Sequence, residues 1–118
     1  MSNRLSKQER ALLRNLAGEA YEQELEEALT DLYDKFSVWG GKGMSAFDLS
    51  ELIHEFHDGV SRTLYKTYVL GSPEMSVALG ITRQLIDPDQ LGEKLLMTIS
   101  PIVESIEKLQ KNEDDEAT

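Results

Sequence analysis

The chain has 118 residues, enough for one domain with a single core. It carries 22 acidic against 12 basic side chains, a formal charge of −10, which argues against nucleic-acid or anionic-membrane binding and would steer a basic partner inward. With no cysteine there is no disulfide, thiolate metal site or cysteine nucleophile, and a reducing cytoplasm suits the composition. The first ten residues lack the apolar core of a signal peptide, and no apolar run reaches membrane-spanning length.

Residues 1–4 are expected to be loose. Ser6 and Glu9 form a capping box, and a helical pattern runs from there to Trp39, ending at Gly40-Gly41. From Tyr21 onward Leu25, Ala28, Leu29, Leu32, Phe36 and Trp39 share one face. Leu5, Leu12 and Leu16 fall nearly opposite it. Either this long helix bends near Gly18, or its first turns offer a second apolar face to another element or another subunit. Its basic start and acidic continuation oppose the helix dipole, so cross-helix pairing should compensate. Gly40-Gly41-Lys42-Gly43 lacks the residues of a phosphate-binding loop and reads as a connection between helices.

Ser45 is an N-cap with Asp48 three residues on, and Met44 and Leu49 can form a hydrophobic staple. Leu49, Leu52, Ile53, Phe56, Val60, Leu64 and Thr67 follow at helical spacing. The stripe keeps its phase through Gly59, which predicts one helix of about seven turns. Close packing of a neighbour would explain the interior glycine. Phe56, Val60 and Leu64 should then be almost fully buried. The rival is a break at Asp58-Gly59.

Gly71 ends that helix, and Ser72-Pro73 caps the next. Met75, Ala78, Leu79, Thr82, Leu85 and Ile86 should be its buried side, Gly80 should mark tight packing, and Asp87-Pro88 should stop it. The segment from Asp87 to Gly92 is a poor calcium loop and reads as a turn with a short helical piece capped by Asp87. In the last helix Leu95, Ile99, Ile102, Ile106 and Leu109 are in phase. Pro101 either kinks it or begins a fresh helix. Residues 112–118 read as a disordered acidic tail. The whole is an all-α, four- to five-helix bundle, a single helical domain over 1–111.

Both histidines, His54 and His57, lie on one flank of the central helix with Ser61, Tyr65 and Tyr68. Regular geometry predicts that His57, Ser61, Tyr65 and Tyr68 line a groove with His54 at its mouth. Arg62 lies farther round and reaches the groove only by folding back. Glu51-x-x-His54 lacks the second Glu-x-x-His of a di-iron bundle. His54 and His57 at i,i+3 could ligate a divalent metal with Asp58 or an acid of the first helix. His57, Asp58 and Tyr65 could form an acid-base site, with Arg62 holding an anion. The bland alternative makes His57 a core-edge residue with a satisfied hydrogen bond and His54 a surface residue, and the pattern favours it.

Ile53-His54-Glu55-Phe56-His57-Asp58-Gly59, with Arg62, Leu64-Tyr65-Lys66 and Tyr68, resembles a segment of small uncharacterised all-helical bacterial proteins. The likeness spans Phe47 to Ile81. It implies a bacterial origin and brings no activity or cofactor. With no complete catalytic constellation, the expected function is a non-catalytic protein–protein interaction or regulatory module. A homodimer through the Leu5, Leu12 and Leu16 face is the expected assembly. The alternative is a metal-dependent enzyme at the His54/His57 edge.

Overall fold

A computed structural model of the chain describes residues 5–116. The loose start expected for 1–4 and the last two residues of the expected tail lie outside the described residues. Among the described residues the fold is all-α. It comprises a first helix Lys7–Gly40, a central helix over 46–70, a third helix Pro73–Thr82, a 3-10 turn Pro88–Gln90 and a last helix Gly92–Glu116.

The helix starts are set by local chemistry. Both halves of the first capping box form: the Ser6 amide donates to Glu9 Oε1 at 2.7 Å, and the Glu9 amide to Ser6 Oγ at 3.0 Å. Ser45 Oγ accepts from the Asp48 amide, Ser72 Oγ from the Met75 amide, and Asp87 Oδ1 from the Asp89 amide. Two helices end in the same motif. Gly43 N–H bonds Val38 O and Lys42 N–H bonds Trp39 O, while Leu85 N–H bonds Gly80 O and Gln84 N–H bonds Ile81 O. These are Schellman closures with Lys42 and Gln84 in the left-handed region, φ 66° and 62°. The third helix is therefore stopped by the turn at Gln84, and not by Asp87-Pro88. Pro101 lies inside the last helix without ending it, and that helix continues to Glu116, through residues expected to be disordered.

Contacts cluster into two compact units, where the length suggested one. One holds 1–20 and 71–118, the other Tyr21–Leu70. The first unit holds most of the buried apolar residues: Leu13, Leu16, Ala17 and Ala20 from the first helix, Val77 and Ala78 from the third, Ile86, Leu91, and Leu95 and Ile99 from the last. Leu16 is thus covered within the chain, and Leu5 and Leu12 are half-buried. The face proposed for a partner subunit is largely occupied at home. Met75 is exposed, and Ser76 takes the buried position, its hydroxyl donating to Ser72 O. Gly80 is a close-approach glycine as expected. A Cβ there would meet Ile86 Cδ1 at 2.5 Å and Ala20 Cβ at 3.4 Å. Lys94 Nζ lies 3.3 Å from Glu9, an ion pair between the last helix and the first; Glu9 sits in the first turn and is not one of the acids that oppose the helix dipole.

The second unit is a helical hairpin made from residues 21–40 and 46–70. Its buried residues are few: Leu49, Leu64 and Tyr68. The central helix is unbroken, but not regular. Its backbone is α-helical over Ala46–Phe56 and Arg62–Tyr65, and it widens to π-helical over His57–Ser61 and Lys66–Leu70. A π turn takes in one extra residue, about 100° of rotation. The core face therefore passes from Leu49 and Phe56 to Ser61, Leu64 and Tyr68. Leu64 is buried as expected, Phe56 only half-buried, and Val60 is 43% exposed. The constant phase assumed through Gly59 fails at the wide turn. A Cβ at Gly59 would meet nothing within 4 Å beyond its own helix, so packing does not explain it.

The two glycines should respond oppositely to alanine. Gly59→Ala should stabilise by about 0.5–1 kcal/mol through helix propensity alone. Gly80→Ala should destabilise by about 1–2 kcal/mol, because Ile86 is itself buried and overpacking outweighs propensity. Urea denaturation of both variants measures the contrast.

The Glu9 carboxyl is held below the ordinary carboxylate range, first by the Ser6 amide hydrogen bond. A lowered folded pKa adds stability above the unfolded value, lost as pH falls through the folded value. Melting curves between neutral pH and strong acid should show the wild type losing its advantage over Glu9→Gln as the carboxyl protonates.

Candidate functional site

The widened central helix sorts its residues onto two flanks of the hairpin. On one flank Leu52, Glu55, Phe56 and Val60 face Ala28, Asp31, Leu32 and Lys35 of the first helix across an open groove of about 360 Å³. The floor is apolar: Ala28, Leu32, Leu52, Phe56 and Val60. Asp31, Glu55 and Lys35 form the rim. Elsewhere on the first helix Leu29, Tyr33, Phe36 and Trp39 are exposed, and Phe47 at the start of the central helix is 88% exposed.

The other flank carries a pocket of about 400 Å³ lined by Tyr21, His57, Ser61, Arg62 and Tyr65. Three residues expected together, His57, Ser61 and Tyr65, are brought together here. Arg62 lines this pocket, although a regular helix would place it farther round towards solvent. The extra residue of the wide turn rotates it towards His57. Tyr21 was not assigned to the site, although the sequence put it at the start of an apolar face of the first helix.

The remaining expected members are elsewhere. Tyr68 is 9% exposed and belongs to the core: its ring stacks on Tyr21 at 5.5 Å with 14° between planes, and its hydroxyl donates to Glu24 Oε2. His54 and Asp58 are exposed and line no part of the pocket. His57 is also exposed, and its side chain makes no hydrogen bond among the described residues. The core-edge histidine with a satisfied bond is therefore not what the structure contains. Nor do three His, Asp or Glu side chains converge with metal-ligand geometry anywhere among the described residues. His54 and His57 share a flank with no third ligand.

The chemistry of the two flanks differs. The groove presents apolar surface with a mainly acidic rim. The pocket presents a guanidinium, an imidazole and three hydroxyls, a donor-rich set without a carboxylate to act as nucleophile or base. Comparison of the chain with protein-family models, with curated proteins and with solved structures finds no match.

Two substitutions separate core from flank. Tyr68→Phe should cost about 1.5–3 kcal/mol, because it removes a hydrogen bond to a partly buried carboxylate. His57→Ala should stay within about 0.5 kcal/mol of wild type, as for an exposed side chain without a partner. Chemical denaturation followed by circular dichroism reads both.

Proposed function

We propose that the protein is a non-catalytic interaction module, and that the hairpin of residues 21–70 binds a basic amphipathic helix of a partner protein. The observation that carries this reading is the open apolar groove between the two hairpin helices. Val60, 43% exposed on its floor, is an apolar side chain whose covering would contribute about 1 kcal/mol or more. The groove's open apolar surface gains free energy when a partner covers it. Its length runs along two helices, which suits a helix laid in the groove with apolar anchors three and four residues apart.

Charge selects the partner. Residues 21–70 hold ten acidic side chains against four Lys and Arg. Such a surface attracts a basic helix and repels an acidic one. A second copy of the hairpin would bring like charge against like, so self-association through this face is disfavoured. The homodimer through Leu5, Leu12 and Leu16 loses its motive, because Leu16 is buried within the chain. A metal-dependent activity at the His54/His57 edge gains no support from a flank with two ligands. The bacterial origin implied by the segment resemblance, and a cytoplasmic location for a chain without cysteine, accompany this reading. No helix of the described residues is long and apolar enough to cross a membrane.

A labelled Leu/Lys amphipathic peptide tests the proposal by fluorescence anisotropy, and the single tryptophan, Trp39, gives a second signal from the protein. The peptide should bind saturably and more weakly at high salt. Val60→Asp should weaken it by about tenfold or more without loss of helicity. A Leu/Glu peptide with the same apolar face should not bind. Equal binding of the Leu/Glu peptide, or indifference to Val60→Asp, would sink the reading. A stable dimer abolished by Val60→Asp in sedimentation equilibrium would replace the foreign helix by a second copy.

A further inference from the structure

The pocket on the opposite flank is built from the wrong side chains for a solvated surface of this chain. Ten carboxylates lie between residues 21 and 70, and none lines it. Arg62 makes no ion pair among the described residues, in a chain with acidic side chains in excess. An arginine left unpaired beside a histidine and three hydroxyls is a set of donors waiting for an acceptor. Part of the wall is held in place. Tyr21 is held by its stack on buried Tyr68, whose hydroxyl engages Glu24. Ser61 is half-buried, and the π turn His57–Ser61 sets His57, Ser61 and Arg62 around one opening. Single π turns of this kind recur at binding sites.

The donor set selects among anions. Arg62 can present two parallel N–H groups, His57 one, and Tyr21, Ser61 and Tyr65 one each. A carboxylate has two oxygens and about four acceptor positions. A phosphate monoester offers three terminal oxygens and a charge of about −1.5 to −2 near neutral pH. It alone can use the whole set, with the guanidinium as a bidentate anchor. The rings of Tyr21 and Tyr65 leave an apolar wall for an organic group. The chain's net negative charge does not forbid this, because exposed charges beyond about 8 Å are largely screened at physiological salt. The donors within contact distance decide.

We propose that the pocket formed by Tyr21, His57, Ser61, Arg62 and Tyr65 binds a small organic phosphate monoester. This site shares no residue with the groove that receives the partner helix.

Amide and histidine-ring resonances of the full chain, followed while phenyl phosphate, inorganic phosphate or benzoate is titrated at about 0.15 M salt, test the assignment. Phenyl phosphate should shift Ser61, Arg62, Tyr65 and the His57 ring saturably. Inorganic phosphate should move the same signals more weakly, and benzoate should bind about tenfold less tightly than phenyl phosphate. Arg62→Gln should weaken phenyl phosphate by about tenfold or more while the circular dichroism spectrum stays unchanged. Tyr65→Phe keeps the ring and should weaken it by about threefold, which covers the case of an Arg62 variant that folds poorly. Val60→Asp should leave this binding intact. Absence of any shift at about 10 mM phenyl phosphate, unchanged affinity in Arg62→Gln, or benzoate equal to phenyl phosphate would each overturn the proposal.

Discussion

The contact of Tyr68 with Tyr21 and Glu24 fixes how the hairpin is arranged. A regular helix over 46–70 would leave Tyr68 on the flank and Val60 in the core. The observed helix widens twice, and Tyr68 turns inward to stack on Tyr21 and to donate its hydroxyl to Glu24. A buried tyrosine needs a partner for its O–H, and a partly buried carboxylate needs a donor. Each satisfies the other. The lost regularity of the wide turns is offset by aromatic stacking and a charge-assisted hydrogen bond, interactions stronger than the contact a valine would make at the same place.

The same rotation generates both candidate sites. Once Tyr68 is turned in, Val60 must turn out, and it joins Leu52 and Phe56 on the apolar flank. The same rotation brings Arg62 round to join His57 and Tyr65. One inserted residue therefore separates an acidic-rimmed apolar groove from a donor-rich pocket on a single helix. Had the helix stayed regular, the arginine would have pointed to solvent and the pocket would have lacked its cation.

Much of the architecture was legible in the sequence, where the signal is local. The starts at Ser6, Ser45, Ser72 and Asp87 follow from side-chain oxygens that accept a nearby amide, a geometry decided within four residues. Gly80 was legible for a similar reason: a bare backbone amid apolar residues implies a close neighbour, here Ile86 and Ala20. Gly59 shows the limit of that rule, since its surroundings are open. The phase of the central helix beyond residue 56 was not legible, because a π turn leaves no mark in the apolar spacing. Val60, Leu64 and Thr67 fit a regular stripe just as well. What decides between the two registers is a tertiary contact with Tyr21 and Glu24, far away in sequence. The candidate site inherited the same error: His57, Ser61 and Tyr65 stayed on the expected flank, Tyr68 left it and Arg62 entered.

The uneven distribution of buried residues bears on how the proposed interaction module would work. The unit holding 1–20 and 71–118 has the larger share of the core, with Leu13, Leu95 and Ile99 among its fully buried side chains. The hairpin has three well-buried residues and exposes Tyr33, Phe36, Trp39 and Phe47. A two-helix hairpin with so little buried surface has few interactions to set against the entropy of ordering its chain. A ligand or partner that binds only the folded hairpin adds its own free energy to that balance. The hairpin is thus the part of the molecule whose order responds most to occupancy, and both openings lie on it. A ligand in the donor-rich pocket holds Tyr21 and Tyr65, residues of the two hairpin helices, in one arrangement. The apolar groove is formed by those same two helices, through Leu32 and Val60. If both proposed sites bind, occupancy of either would favour the same paired state of the helices and so couple them, although they share no residue.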